Sequence, residues 1–471
     1  MLFNSKINNQ QYCPRTPHLN SAANPAGSTE SSTLHKASLF YLVFVMFSYT
    51  TGGPFGLEDM VTTSGPGMTL VYLLVLPFFW CIPVSLVSAE LTAAMPVEGG
   101  FYRWTRAAFG DFWGFLAGWW NWSASFLLGG AYAVLFTDYL VYYFPQMTWW
   151  EHWLVSVALI AVLTWINVRG IQMVGQVATA LEIFIFIPVV IMVVMGLAHW
   201  HQNPFTPFVP PHQATFKIFG VGLALGLWLY SGYEQLSTVA EEVENPQRAY
   251  PRALAIVVPL SMAAYFLPTL AGLASAGHWD QWHTGYFSDA ARIIGGTVRG
   301  HAWLGTWMTL AAMVGFVALL NSTILTTTRM PFAMAEDRYL PRALTRRHAH
   351  YGTPWLAIVV SAAIYALLAW QSLGQLISVY IWLRSATTVL TVLSAWKLRR
   401  TQPEMKRSFI VPGGRAGLFY VVGAPVLMAM VALLGSDKFA LIGGAVAIVV
   451  GPVVYGLLRR NMLTSANTER P

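Results

Sequence analysis

Apolar runs long enough to cross a bilayer recur along almost the whole chain, near 38–63, 67–93, 112–144, 150–168, 171–198, 215–240, 253–277, 302–333, 354–370, 373–397, 417–435 and 438–458. About 20 such residues span the ~30 Å hydrocarbon layer as a helix. The chain therefore reads as an all-α membrane protein of twelve transmembrane helices. Composition agrees, with 56% hydrophobic and only 10% charged residues where about 25% charged is usual in soluble domains. So few charges cannot cover a soluble protein of 471 residues. A net charge of +7 would suggest nucleic acid in a soluble chain, but here the basic residues gather between apolar runs, and no nucleic-acid partner is expected.

Threading the spans in order puts 22 of the 27 Lys and Arg on one side and only Lys217, Arg292, Arg299 and Lys438 on the other, with Arg384 inside a span. The basic side faces the cytoplasm, so both termini are expected there, in a plasma membrane or the inner membrane of a bacterium. Residues 1–37 are polar and rich in Asn, Ser, Thr and Pro. Without an apolar h-region they read as a disordered cytoplasmic tail, not a signal peptide; 459–471 form a second tail. Cys13 and Cys81 lack disulfide or metal-ligand spacing. His199/His201 and His348/His350 have too few partners for a metal site. No phosphate-cradling loop appears, so ATP is not expected to drive the protein. No nucleophile–base pair suggests an enzyme.

Two spans carry breakers near their middles. Thr50-Thr51-Gly52-Gly53-Pro54-Phe55-Gly56 interrupts the first, and Tyr230-Ser231-Gly232-Tyr233 the sixth. A lone glycine in a membrane helix usually means a kink or close packing. Position changes that reading, because spans 1 and 6 each open a five-helix unit. Irregular backbone survives in lipid only where it lines a protected cavity, and broken helices at matching places of inverted repeats point to a transporter's central site. The expected units are 38–198 and an inverted 215–397, with helices 11 and 12 at 417–458.

These residues resemble the amino acid–polyamine–organocation superfamily, and within it most closely the polyamine:proton symporters of the plant uptake type. The likeness rests on Gly52 through Asp59, Ala89-Glu90-Leu91, Pro96 through Tyr102, Phe112-Trp113-Gly114-Phe115 and Val134 through Leu140. It continues through Glu242 to Pro246, Gly285 through Asp289 and Tyr351-Gly352-Thr353-Pro354. The resemblance implies a five-plus-five inverted repeat of the LeuT-like type, with cargo held between broken helices 1 and 6 and moved by alternating access. It also marks two departures. The plant carriers have an acid in span 3 where Leu128 falls here, and a glutamate in span 8 where Leu319 falls.

The expected substrate-binding residues are Thr51, Gly52, Gly53, Glu58, Ser231, Gly232, Tyr233, Glu234 and Asn321. Pro54 deletes a backbone donor that would suit a carboxylate, and Glu58 adds negative charge one turn on, a combination that favours an amine. Glu58 and Asp59 also read as plain first-turn acids. Glu234 follows the second break and is the expected main partner of an amine, the family's polyamine members placing Asp there. Tyr230, Tyr233, Trp228 and Trp122 could close over an ammonium, Tyr233 foremost. Asn321 and Ser322 read equally as interhelical glue. Glu182 lies mid-span 5, where a charged carboxylate costs about 2.5–3.5 kcal/mol. Together with Glu58 it is the candidate proton-coupling group, the alternative being a protonated, hydrogen-bonded Glu. Arg384 is expected to pair with an acid; a fixed cation in the cavity would argue against polyamines. Glu90 is expected to pair with Arg103 or Arg106.

The functional expectation is proton-coupled uptake of a polyamine such as putrescine or spermidine, with Na+ as the alternative coupling ion and no other cofactor. Partners are a small amine or amino acid and the lipid bilayer. The rivals are a cationic or neutral amino acid permease, and an exchanger or sensor without ion coupling.

Overall fold

The computed structural model describes residues 39–96, 99–170, 175–211, 220–233, 245–297, 302–327 and 329–468, and every regular element among them is helical. The expected tail 1–37 and Glu234 lie outside the described residues. The first span is split. α1 (Leu39–Thr50) stops where Gly53 turns to φ 96°, and α2 (Glu58–Ser64) resumes beyond Gly56 at φ 89°. Glycine takes this left-handed backbone at little cost, and Pro54 cannot donate to a continuing ladder.

α3 (Pro66–Leu76) passes through a π-helical turn, Pro77–Cys81, into α4 (Ile82–Ala94). Pro77 lacks the N–H that a continuous α-helix would use, and the ladder slips by one residue there. α5 (Gly100–Phe109) is short and amphipathic, and α6 (Asp111–Leu140) is a 30-residue helix. α7 (Trp149–Val168) starts on a reciprocal cap in which the Glu151 carboxylate accepts from the Thr148 N–H at 2.7 Å. α8 (Gly175–Ala198) precedes α9 (Val221–Leu229), which stops at the second break. Then come α10 (Pro246–Ser275), the amphipathic α11 (Tyr286–Gly295), α12 (Trp303–Thr327) and α13 (Arg329–Glu336). α14 (Trp355–Leu368), α15 (Leu373–Thr401), α16 (Gly414–Leu434) and α17 (Lys438–Thr468) complete the order.

Among the described residues, eight helices are long and apolar enough to cross a membrane. Burial ranks them. In its most apolar window α15 is 72% buried, against 28% for α16 and 11% for α17. α15, packed on α6, is thus a central strut, and the last two helices are peripheral. Trp149, Trp150 and Trp370 cluster exposed with Trp153 at one end of the bundle, as amphipathic rings do at a headgroup boundary.

The expected partner of Glu90 is corrected. Its carboxylate accepts from Arg399 Nε at 2.7 Å, from Arg399 Nη2 and from the Val411 N–H at 2.8 Å, with Arg407 Nε 3.6 Å away. Arg103 and Arg106 instead reach Asp337 at 2.8 and 3.0 Å. The reason is topological. Glu90 lies on α4 against α15, whose last turn carries Arg399, whereas the α5 arginines face the segment after α13.

Candidate functional site

The two breaks open onto one cavity of about 40 Å³, room for about three waters. Gly52 and Gly53 border it from the first break, and Ser231 and Gly232 from the second. α6 contributes Asn121, Ser125, Leu128 and Tyr132, and α12 contributes Phe316 and Leu319. Tyr265 of α10 and Tyr380 of α15 complete the wall, with Phe55 and Trp228 beside the breaks. None of these lining residues is charged.

Two helices end in this space. α1 and α9 each stop with their last carbonyls toward the cavity, where the aligned peptide dipoles leave about half a negative charge. The Tyr265 hydroxyl donates to both ends, to the Thr50 carbonyl at 2.9 Å and the Leu229 carbonyl at 3.3 Å. The second break is tied to α3 and the π-turn: Tyr230 donates to the Leu73 carbonyl at 2.7 Å, and Trp80 Nε1 to Ser231 Oγ at 3.0 Å. Such a space can hold a small cation by carbonyls and aromatic faces.

Of the sequence-predicted residues, Gly52, Gly53, Ser231 and Gly232 meet here. Thr51 lies just behind, its hydroxyl 2.7 Å from Ser261 Oγ. Tyr233 is fully buried at the edge of the described stretch. Asn321 is not among the lining residues; its Oδ1 accepts from Asn167 Nδ2 of α7 at 2.7 Å. Glu58 does not line the cavity either. It is fully buried, accepting from the Gly56 N–H at 2.7 Å, the Gly285 N–H at 3.2 Å and the Tyr139 hydroxyl. Between Glu58 and the cavity, Phe55 meets Tyr139, Phe287 and Phe316 edge-on at 5.5–6.3 Å. Asp59 accepts from Thr284 at 3.0 Å, so both acids hold the loop before α11.

Glu182 is buried on α8, its Oε2 without a hydrogen-bond partner among the described residues, with Ser48 of α1 as a polar neighbour. Arg384 stands behind the cavity wall, donating to the Asn121 amide oxygen at 3.2 Å. Sequence reasoning missed Tyr265, Tyr132, Phe316 and Tyr380. The one available signal, for the three tyrosines, was a polar-tipped ring in mid-span, and an aromatic content of 14% obscures it.

The split first span, the cavity beside it and the apolar bundle are those of a multi-pass membrane protein, and its relatives are transporters, not enzymes. The sequence profile of the amino acid permease family matches residues 38–457, and the chain belongs to that family, within the amino acid–polyamine–organocation superfamily. It is 32% identical to the polyamine transporter RMV1 of Arabidopsis thaliana over 93% of this chain and 88% of that protein. It is 32% identical to the polyamine transporter PUT1 of Oryza sativa subsp. japonica over 95% of this chain and 83% of that one. An uncharacterized transporter of Mycobacterium bovis is 29% identical over 65% of this chain and 66% of its own length.

Proposed function

We propose that this chain imports an organic amine with protons, polyamines such as putrescine foremost, by alternating access across the plasma membrane, or the inner membrane of a bacterium. The observation that carries the reading is the uncharged aromatic cavity onto which two half-helix carbonyl ends converge. A cation fits such a field and a free carboxylate does not. Glu234, one residue past the second break, supplies the amine's counter-charge. The names of the Arabidopsis and rice relatives support the same cargo.

In this reading twelve helices form two inverted units of five, with helices 11 and 12 outside them and both termini cytoplasmic. A correspondence between the units supports it. α5 follows the second span and α11 the seventh; each has 10 residues and starts after a left-handed glycine, Gly99 at φ 87° and Gly285 at φ 97°. Each carries a Phe-Tyr or Tyr-Phe pair in its first turn, Phe101-Tyr102 and Tyr286-Phe287. Glu182, buried with one oxygen unpartnered among the described residues, is the proton carrier in this scheme, and Glu58 closes the outer side.

One observation favours a shorter cargo or a single-charge amino acid. Leu128 and Leu319 line the cavity where the plant carriers that the chain resembles have acids. Competition for uptake into proteoliposomes by putrescine, spermidine, arginine and leucine at two external pH values separates these readings. Putrescine is expected to compete best, and an acidic exterior to stimulate uptake several-fold in wild type but not in Glu182→Gln. Competition by leucine alone would overturn the amine assignment. An unchanged pH response in Glu182→Gln would remove Glu182 from coupling.

A further inference from the structure

Tyr265 holds a position that ordinary packing does not require. It is 2% exposed, and its ring is set edge-on against Tyr230 at 5.4 Å and 82°. Its hydroxyl has one proton but addresses two carbonyls that close two different helices, Thr50 at 2.9 Å and Leu229 at 3.3 Å. All three residues line the same cavity.

A helix C-terminus leaves its last carbonyls without intrahelical partners, and a buried carbonyl left bare is costly. Neighbouring carbonyls at these ends have donors of their own. The Phe47 carbonyl accepts from the Thr51 N–H, the Leu227 carbonyl from Ser231 Oγ and the Trp228 carbonyl from the Ser231 N–H. Thr50 and Leu229 are thus the cavity-facing carbonyls that depend on Tyr265. One neutral proton shared between two negative dipole ends satisfies them only in part. An alkylammonium brings a full charge and three donors and can satisfy both.

We propose that Tyr265 is an internal stand-in for the ammonium of the cargo. Its hydroxyl caps the two half-helices in the empty carrier, yields them to the arriving amine and recaps them after release, so that the unloaded carrier can close and return. This assignment rests on the amine-transport reading. It places the role of Tyr265 in one step of the cycle, the return without cargo. A residue needed only for packing would affect every step alike.

The experiment compares two modes in proteoliposomes with labelled putrescine, net uptake into empty vesicles and exchange into vesicles preloaded with putrescine. Exchange never requires the unloaded carrier to return. Tyr265→Phe keeps the ring and removes the donor, and its net uptake is expected to fall about tenfold further than its exchange does. Retained exchange also certifies that the variant is folded. Parallel loss in both modes, or no loss in either, overturns the assignment.

A second arm uses wild type alone. The bis-trimethylammonium analogue of putrescine keeps both charges but has no N–H to offer the carbonyls, and is expected to compete at least tenfold more weakly than putrescine. Equal competition would mean that aromatic faces alone recognise the cation, which also overturns the assignment. Wild-type protein that moves putrescine in neither mode would instead bring down the amine reading, and this assignment with it.

Discussion

Gly315→Val is expected to reduce uptake about a hundredfold while the protein still inserts and purifies as a monodisperse species. Gly315 lies on α12 where that helix touches the first break backbone to backbone, and a Cβ added there would sit 2.6 Å from the Gly52 carbonyl oxygen. The obstacle is main chain, not the tip of a flexible side chain, so the break and α12 must move apart. Overpacking of this kind typically costs about 1–3 kcal/mol, which a protein of this size tolerates. The cost falls on geometry, because Gly52, Phe316 and Leu319 all border the same small cavity. Initial uptake rates alongside size-exclusion profiles check this; wild-type rates in Gly315→Val would mean that the close approach does not shape the site.

The second large effect concerns Glu58. Replacing it with Ala strands two buried N–H groups, those of Gly56 and Gly285, and the Tyr139 hydroxyl. Each buried donor without a partner costs about 1–3 kcal/mol, so the melting temperature should drop by several degrees and uptake should fall at least about tenfold. Glu58→Gln keeps one acceptor oxygen but turns an NH2 toward a donor, and should fall between Ala and wild type. Asp59→Asn is the contrast. Asp59 is only partly buried and accepts from Thr284 at 3.0 Å, and an amide can still accept that bond, so its uptake should stay within twofold of wild type. Equal sensitivity at the two acids would contradict the assignment of Glu58 as the tie between the broken helix, α6 and the loop before α11.

What could be read from the chain divides along physical lines. Hydrocarbon admits few conformations, so the positions of the apolar helices followed from hydropathy alone. The break at 50–56 was equally legible, since Gly and Pro act on the backbone they occupy, and α9 ends at Leu229 where the Tyr-Ser-Gly-Tyr stretch begins. The amphipathic α5 and α11 were not, because each is only 10 residues long with charged residues on one face, and a search for long apolar runs passes over them. The glycine before each and the aromatic pair in its first turn were there to find.

Pairings across the bundle were the least accessible. Glu90 was matched to arginines a dozen residues away, whereas its partner Arg399 is 309 residues on, delivered by the packing of α15 on α4. Asn321 could be read as a cargo contact or as interhelical glue, and only the rotation of α12, which turns it to Asn167 of α7, chooses the second. Tyr265 had no breaker or charge beside it, and only the meeting of three separate helices gives it meaning.

The central claim is that the ends of two split helices hold the cargo, and a cryo-electron microscopy map of the protein with putrescine in nanodiscs tests it most directly. The account requires density for the diamine with one nitrogen within hydrogen-bonding reach of the Thr50 and Leu229 carbonyls and the Tyr265 hydroxyl withdrawn from at least one of them. Putrescine density outside the cavity between the two breaks, with Tyr265 still bridging both carbonyls, would contradict it.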